Sequence, residues 1–471
     1  ALGEGYDAGP GFIRAYDVET GKIVWTFHTI PQPGEYGYDT WDTASYKEVG
    51  GVNAWAGMSL DEETGIVYAP LGSPAFDFYG GNRKGDNLFG NCLVALDAAT
   101  GKRVWHYQLV HHDLWDYDLP APPVLLTVNN NGAPVKAVAQ TTKMGMVFLF
   151  DRKTGKPVFP IHEQPVPASR LHGEYTSPVQ PFPEKPLPFV RQHFSADDIT
   201  DISDSAHLYV SDLVRAALMG GIYTPPDTAG VVQFPGTRGG AEWGGAAVDP
   251  ATGIMYINAN EVPMLIKMKA VPFSNNTTVM SQGEKLYTLN NCTMCHGADR
   301  KGTAVFPSLL NLKAKYTRQT IAGLLSKGKG QMPAFPNLTP GDKEANGVKK
   351  QTGDPDGTRY RYVHNGWQTL SDKDGYPGVK PPWGTLNAID LNKGELLWKV
   401  PLGEFPDLAA KGIRNTGTPN LGGALATAGG LLIIAATYDE KLRIFDKENG
   451  RLLWEYKLPA GGYATPATYM I

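Results

Sequence analysis

The run Cys292-Thr293-Met294-Cys295-His296 carries the most specific chemistry in the chain. Two thiols spaced as Cys-x-x-Cys and followed at once by an imidazole make the attachment signature of a c-type haem. The thiols of Cys292 and Cys295 would add to the haem vinyl groups, and His296 would stand under the iron as proximal ligand. Met332-Pro333 follows about 36 residues later, which suits a distal thioether, and Met/His ligation raises the iron potential. Cys-x-x-Cys alone also serves redox and zinc sites, and Met332 alone also serves as core filler. The adjacent His, the later Met-Pro and the absence of a second Cys pair select haem, with His296 and Met332 as iron ligands.

The rest of the chain must position that group and whatever exchanges electrons with it. A length of 471 residues allows two or three domains and a large core. Gly (55), Pro (37) and 10 % aromatics point to many short strands and turns, not long helices. A formal net charge of -4 gives no reason to expect a nucleic-acid partner. Cys92 is the one Cys outside the haem motif, so no internal disulfide framework is available. No run of about 18 apolar residues is present, so no membrane span is visible. No signal peptide is visible either. The chain opens without Met and ends abruptly, and it reads as processed or truncated.

An internal repeat organises the sequence. Ala15 to Trp25 returns as Ala95 to Trp105, and again as Phe150 to Phe159 with Phe in place of Trp. Further copies end at Trp398 and Trp454. Each reads as strand, Asp-x-x-Thr-Gly-type turn, strand, with Gly supplying the positive φ of the hairpin. Related hairpins without the Trp run over Ser59 to Tyr68 and Val248 to Tyr256. Repeats of roughly 50–80 residues with four strands each predict an all-β fold, a β-propeller. Trp25, Trp105, Trp398 and Trp454 are then packing groups between neighbouring blades. Pro165 to Pro188 predicts a surface crossover with little regular structure, and residues 197–218 read as partly helical. An all-α insert interrupts the pattern. Ser281 to Tyr287 and Tyr316 to Ser326 read as helices around the haem motif, as in a cytochrome c. The expected division is propeller over 1–271, cytochrome c domain over 272–353, and propeller again over 354–471, the insert sitting at a loop between strands.

The Trp-ending repeat, with Thr-Gly-Lys before it, resembles the tryptophan-docking motif of dehydrogenases that use pyrroloquinoline quinone (PQQ). Asn53 to Phe159 is similar to the membrane glucose dehydrogenase branch of that family. The markers are His111-His112-Asp113-Leu114-Trp115-Asp116-Tyr117-Asp118, then Glu242-Trp243-Gly244-Gly245, then Leu458 to Pro466. The resemblance covers nearly all of the chain outside the insert. It implies an eight-bladed-type propeller, of which roughly one to two N-terminal blades and a final strand lie outside this chain. It implies Asp116 as catalytic base, Lys143 as the cation that polarises the quinone oxygens, and Trp55 as the floor under the quinone ring. Trp243 is a further candidate for the cofactor pocket. Ser73 stands where the family has a metal-binding Asn, and a hydroxyl is a poorer ligand for Ca²⁺ (or Mg²⁺) than an amide carbonyl. Ser73 and Asp116 are the metal candidates that this chain offers; the family's acidic ligand is expected outside it. His111 and His112 read as structural histidines, and Asp113 and Asp118 as structural carboxylates.

These residue types suit their roles. An alcohol losing hydride needs a base within hydrogen-bond reach of its O–H, and a flat tricyclic quinone needs an aromatic face. The resemblance therefore implies a periplasmic quinohaemoprotein dehydrogenase that oxidises a sugar, polyol or alcohol. Its electrons would pass through haem c to an external cytochrome or the respiratory chain. Membrane association, if any, would come through segments outside this chain. The alternatives are a non-catalytic propeller scaffold, which has no use for haem, and a haem-only electron carrier.

Overall fold

One capture recurs through the computed structural model and sets its sheets. In three Asp-x-x-Thr-Gly turns the Asp side chain accepts from the backbone N–H and the hydroxyl of the Thr three residues on: Asp17 with Thr20, Asp97 with Thr100, Asp151 with Thr154, all at 2.7–2.8 Å. The Gly N–H then donates back to the same Asp carbonyl at 2.8 Å. Just before the turn the register slips by one residue. That bulge sets Trp25 opposite Ala15, Trp105 opposite Ala95 and Trp398 opposite Ala388, where a small partner leaves room for the indole.

Each of these three indoles reaches the turn of the following repeat. Trp25 Nε1 donates to the Ala98 carbonyl at 3.0 Å, Trp105 Nε1 to Arg152 at 3.0 Å and Trp398 Nε1 to Lys447 at 3.2 Å. The ring lies on the turn glycine: a Cβ on Gly101 or Gly155 would stand 2.5 or 2.6 Å from the docked indole. Gly therefore meets two demands there, a φ near +70° and a flat seat. Trp454 differs from the expectation: it is 47 % exposed and stacks on Tyr456 of its own strand.

The structure describes residues 5–6, 8–42, 45–273, 287, 292, 296, 300–302, 307–312, 315–330, 332, 334–335 and 359–468. Among them, antiparallel four-stranded sheets run over Ser59–Asp61, Ile66–Pro70, Cys92–Asp97 and Arg103–Gln108; over Ala247–Asp249, Ile254–Asn260, Gly384–Asp390 and Glu395–Pro401; and over Leu425–Ala426, Leu431–Ile434, Lys441–Asp446 and Leu452–Lys457. A three-stranded sheet comprises Val124–Asn130, Ala133–Thr141 and Val147–Asp151. The inner strands are apolar on both faces, as sheets buried between neighbours require; Cys92 to Leu96 are all fully buried. The Pro-rich crossover is more regular than expected, because Ile161–Pro165 pairs with Val179–Pro183. The predicted helical stretch holds the helix Asp204–Val214, whose N-cap Ser203 accepts from Ala206 N–H.

The chain divides into two compact units, Ala1–Ala270 with Tyr362–Ile471, and Val271–Arg361. The second unit interrupts the sheet of Ala247–Pro401 between its second and third strands in the sequence, and the expected 272–353 insert falls inside it. Its described helix, Arg318–Lys327, begins at Thr317, whose hydroxyl accepts from Thr320 N–H, and ends at Gly328. The helix expected over 281–287 and Cys295 lie outside the described residues, Tyr287 excepted. Among the described residues no helix is long and apolar enough to cross a membrane.

Candidate active site

The His111–Asp118 segment is pinned by its aromatics. Trp115 and Tyr117 are fully buried, and their polar tips donate to the carbonyls of Thr224 and Ile222 at 3.0 Å. With residues 115 and 117 fixed in the core, Asp116 is turned the other way, with φ at +56°. Its carboxylate faces a cavity of about 480 Å³ in the first unit. Trp55, Ser73 and Lys143 line the same cavity, so the structure brings together four of the residues expected there. Lys143 Nζ lies 2.9 Å from Asp116 Oδ2, 3.4 Å from Asp118 Oδ2 and 6.0 Å from the centre of the Trp55 ring. Lys143 stands here because the turn that follows the strand Ala133–Thr141 packs its next residues, Met144 and Met146, into the core.

Asp118 belongs to the site and not merely to the framework. Its Oδ2 accepts from Trp55 Nε1 at 3.1 Å, its Oδ1 from the Ser73 N–H, and it lines the cavity. It thus orients the indole floor and the cation together. Further charged groups in the lining were not singled out from sequence: Asp77, Arg238 and Glu242. Trp243, by contrast, is not in the lining; it is 42 % exposed, and its neighbour Glu242 faces the cavity. The glycine after Trp243 explains that motif better: a Cβ on Gly244 would strike the Gly422 backbone at 1.9 Å. The Glu-Trp-Gly-Gly run is therefore a close-approach joint against the 420s loop, which happens to aim Glu242 inward.

Burial and charge set the protonation of the cluster. Burial pushes the Asp116 carboxyl well up, against the pull of Lys143, and the Asp118 charge pushes the same way as burial. Burial also opposes ionisation of Asp118, but Lys143 and the Ser73 donors outweigh it and hold this carboxyl low. Burial would discharge Lys143, yet Asp116 and Asp118 overturn that and keep it protonated. Burial raises Glu242 to about 7, with Lys143 and Arg238 acting against it. Lys143 thus pairs with both carboxylates, of which Asp118 holds its charge the more firmly, while Asp116 and Glu242 bind protons more readily than ordinary carboxyls.

The residues fit a flat, anionic quinone. The Trp55 indole, 45 % exposed, offers it a face, and Lys143 and Arg238 offer it positive charge. They fit a metal ion less well. The Ser73 hydroxyl donates to Asp113, and among the described residues no three His, Cys, Asp or Glu groups are gathered to hold a metal. In the second unit, His296 is buried and its Nδ1 lies 2.9 Å from the Pro307 carbonyl. A donor Nδ1 in that contact presents Nε2 as the ligating nitrogen of a neutral ring. Cys292 is half-buried, and half-buried Met332 exchanges backbone hydrogen bonds with Lys329. Of these residues, His296 has the contact that suits a haem ligand.

Fold and cavity together define a repeated-sheet protein with an aromatic-floored, charged site for a planar ligand. The family model described as "PQQ: Glucose/ethanol/alcohol dehydrogenase, beta-propeller domain" matches residues 3–306 and 297–471, and the chain belongs to that family. It is 32 % identical to the quinoprotein glucose dehydrogenase of Escherichia coli (strain K12), over 98 % of this chain and 50 % of that protein. It is 32 % identical to the glycerol dehydrogenase large subunit of Gluconobacter oxydans (strain 621H), over 98 % of this chain and 55 % of that one. The crystal structure of quinohemoprotein alcohol dehydrogenase from Comamonas testosteroni shares its fold, with a TM-score of 0.56 at 21 % identity, covering 99 % of this chain and 52 % of that one. The chain spans about half the length of the curated relatives it matches.

Proposed function

We propose that the protein is a periplasmic quinohaemoprotein dehydrogenase that oxidises a hydroxyl of a sugar, polyol or alcohol. The observation that carries this reading is the Trp55–Asp118–Lys143–Asp116 constellation in one cavity. Bound PQQ supplies the hydride acceptor. The chain's own residues do the rest. Asp116 accepts the substrate hydroxyl proton on its carboxylate, and its raised affinity for protons suits that task. Lys143 stays charged in the cavity and would steady negative charge on a bound quinone. Trp55, held by Asp118, supplies the floor. Residues 272–353 form the inserted cytochrome c domain, in which Cys292 and Cys295 attach the haem and His296 and Met332 ligate its iron. The haem gives a two-electron reaction its one-electron outlet, to an external cytochrome or the respiratory chain. No step is assigned to Ca²⁺, because the donors present do not gather around one.

The test is optical. The full-length protein, matured with haem and given PQQ, is mixed with glucose, glycerol and simple alcohols while the haem band is followed. Reduction that requires both PQQ and one substrate class establishes the path. A protein that carries haem yet does not bind PQQ loses the dehydrogenase reading and becomes a haem carrier.

A further inference from the structure

The geometry points to Asp113 as the positioning residue for Asp116, an inference that rests on the proton-acceptor role proposed for Asp116. Asp113 is 1 % exposed and lies behind the cavity wall. Its Oδ1 accepts the Trp115 N–H at 2.9 Å. Its Oδ2 accepts the Tyr117 N–H at 2.9 Å, Asn91 Nδ2 at 3.1 Å and the Ser73 hydroxyl. Four donors thus converge on one carboxylate, three of them on Oδ2.

Two of the donors are the amides on either side of Asp116. Gathering both onto one carboxylate folds the chain around Asp113 and fixes the peptide plane that follows the base and the one that precedes Trp115. The clamps favour the left-handed backbone that Asp116 shows, a conformation sparsely populated by residues other than Gly. Asn91 adds a second clamp by donating to the Tyr117 carbonyl at 3.0 Å, and buried Arg83 donates to the Asp113 carbonyl. The result is an Asp116 carboxylate delivered 2.9 Å from Lys143. An Asn at position 113 has the same size but turns an NH₂ toward N–H donors, so one flanking clamp is lost.

The experiment uses the full-length protein with Asp113→Asn. With PQQ bound, kcat should fall roughly 100-fold, the loss expected for a small misplacement of a reacting group. KM and PQQ affinity should stay within about twofold of wild type, since neither contact is removed. A substrate deuterated at the reacting carbon should show a larger isotope effect on kcat, because the chemical step becomes limiting. Without PQQ, acetylation of Lys143 read by mass spectrometry should speed up several-fold. Lys447, in a similar buried pair with Asp249 (2.8 Å) elsewhere, should be unchanged. An unchanged kcat overturns the inference. So does a loss matched by weaker PQQ binding and faster Lys447 labelling, which is general loosening. If Asp113→Asn does not fold, Asn91→Ala keeps the carboxylate and removes one clamp. It should lower kcat at unchanged KM, and an unchanged kcat again overturns the inference. If the wild type does not bind PQQ, the functional reading falls, while the Lys143 labelling contrast still decides the positioning role.

Discussion

Asp116 and Asp118 are two positions apart and share one ammonium, yet they are pushed to opposite protonation states. Asp118 accepts from Trp55 and Ser73 as well as Lys143, so its charge is well satisfied; Asp116 has Lys143 and burial. This division of labour fixes the pH behaviour. A base works only when ionised, and burial raises Asp116, so kcat should rise with pH through the Asp116 titration and fall away on the acid side. Asp116→Asn should bind PQQ and lose roughly 10²–10⁴-fold in kcat; full turnover in that variant would remove Asp116 as the base. Asp118→Asn removes a like charge beside Asp116, so the acid limb of the kcat profile should move to lower pH. An acid limb that stays put, or moves up, would show that Asp118 does not act on Asp116 by charge. Glu242 carries a stability consequence. Its pKa rises from 4.5 to about 7 on folding, so the folded state favours the proton, and that contribution is present below about pH 4.5 and lost as pH rises through 7. Wild-type stability should thus fall by roughly 3 kcal/mol between pH 4.5 and 8 from this group, and Glu242→Gln should flatten the trend. Thermal unfolding across that range in both proteins checks it.

The elements show which features a sequence can disclose. The hairpins were legible because their cause is local: an Asp, a Thr and a Gly at fixed offsets, with alternating apolar residues on either side. Trp25, Trp105 and Trp398 were legible as packing because the same turn returns where each one docks. Trp454 looks identical in sequence but differs in the fold, since docking depends on a neighbour and not on the strand that carries the indole. Trp105→Ala should cost roughly 3–5 kcal/mol in urea unfolding, the usual range for emptying a buried indole site, and Trp454→Ala far less. Equal costs would mean that Trp454 is covered in solution. Asp118 was missed because its partners are Trp55, which lies 63 residues away, and Lys143, and nothing in Asp116-Tyr117-Asp118 says which acid meets the cation. Trp243 stands outside the cavity lining for a related reason. The motif showed an aromatic beside two glycines, while the glycines serve the backbone approach to Gly422 and the inward side chain is the acid before them.

At the scale of the whole molecule, the arrangement keeps two tasks apart in the chain while leaving each sheet intact. The segment Val271–Arg361 enters after the strand Ile254–Asn260, yet that strand still pairs along its full length with Gly384–Asp390, from Ile254 opposite Asp390 to Asn260 opposite Gly384. A loop between paired strands tolerates such an insertion because loop closure grows only slowly more costly with length. The consequence is functional independence. Changes at the haem ligands should leave the cavity chemistry untouched, and changes in the cavity should leave the haem untouched. With haem attached through Cys292 and Cys295 as proposed, Met332→Ala should keep it covalently bound but lower its potential, because a thioether ligand raises it. In that variant, turnover measured with a dye that takes electrons directly from the cavity should stay near wild type, while turnover measured through the haem should drop. An unchanged potential would show that Met332 is not the axial ligand. Equal loss with both acceptors would show that the inserted segment shapes the cavity, and that the two tasks are coupled through the fold after all.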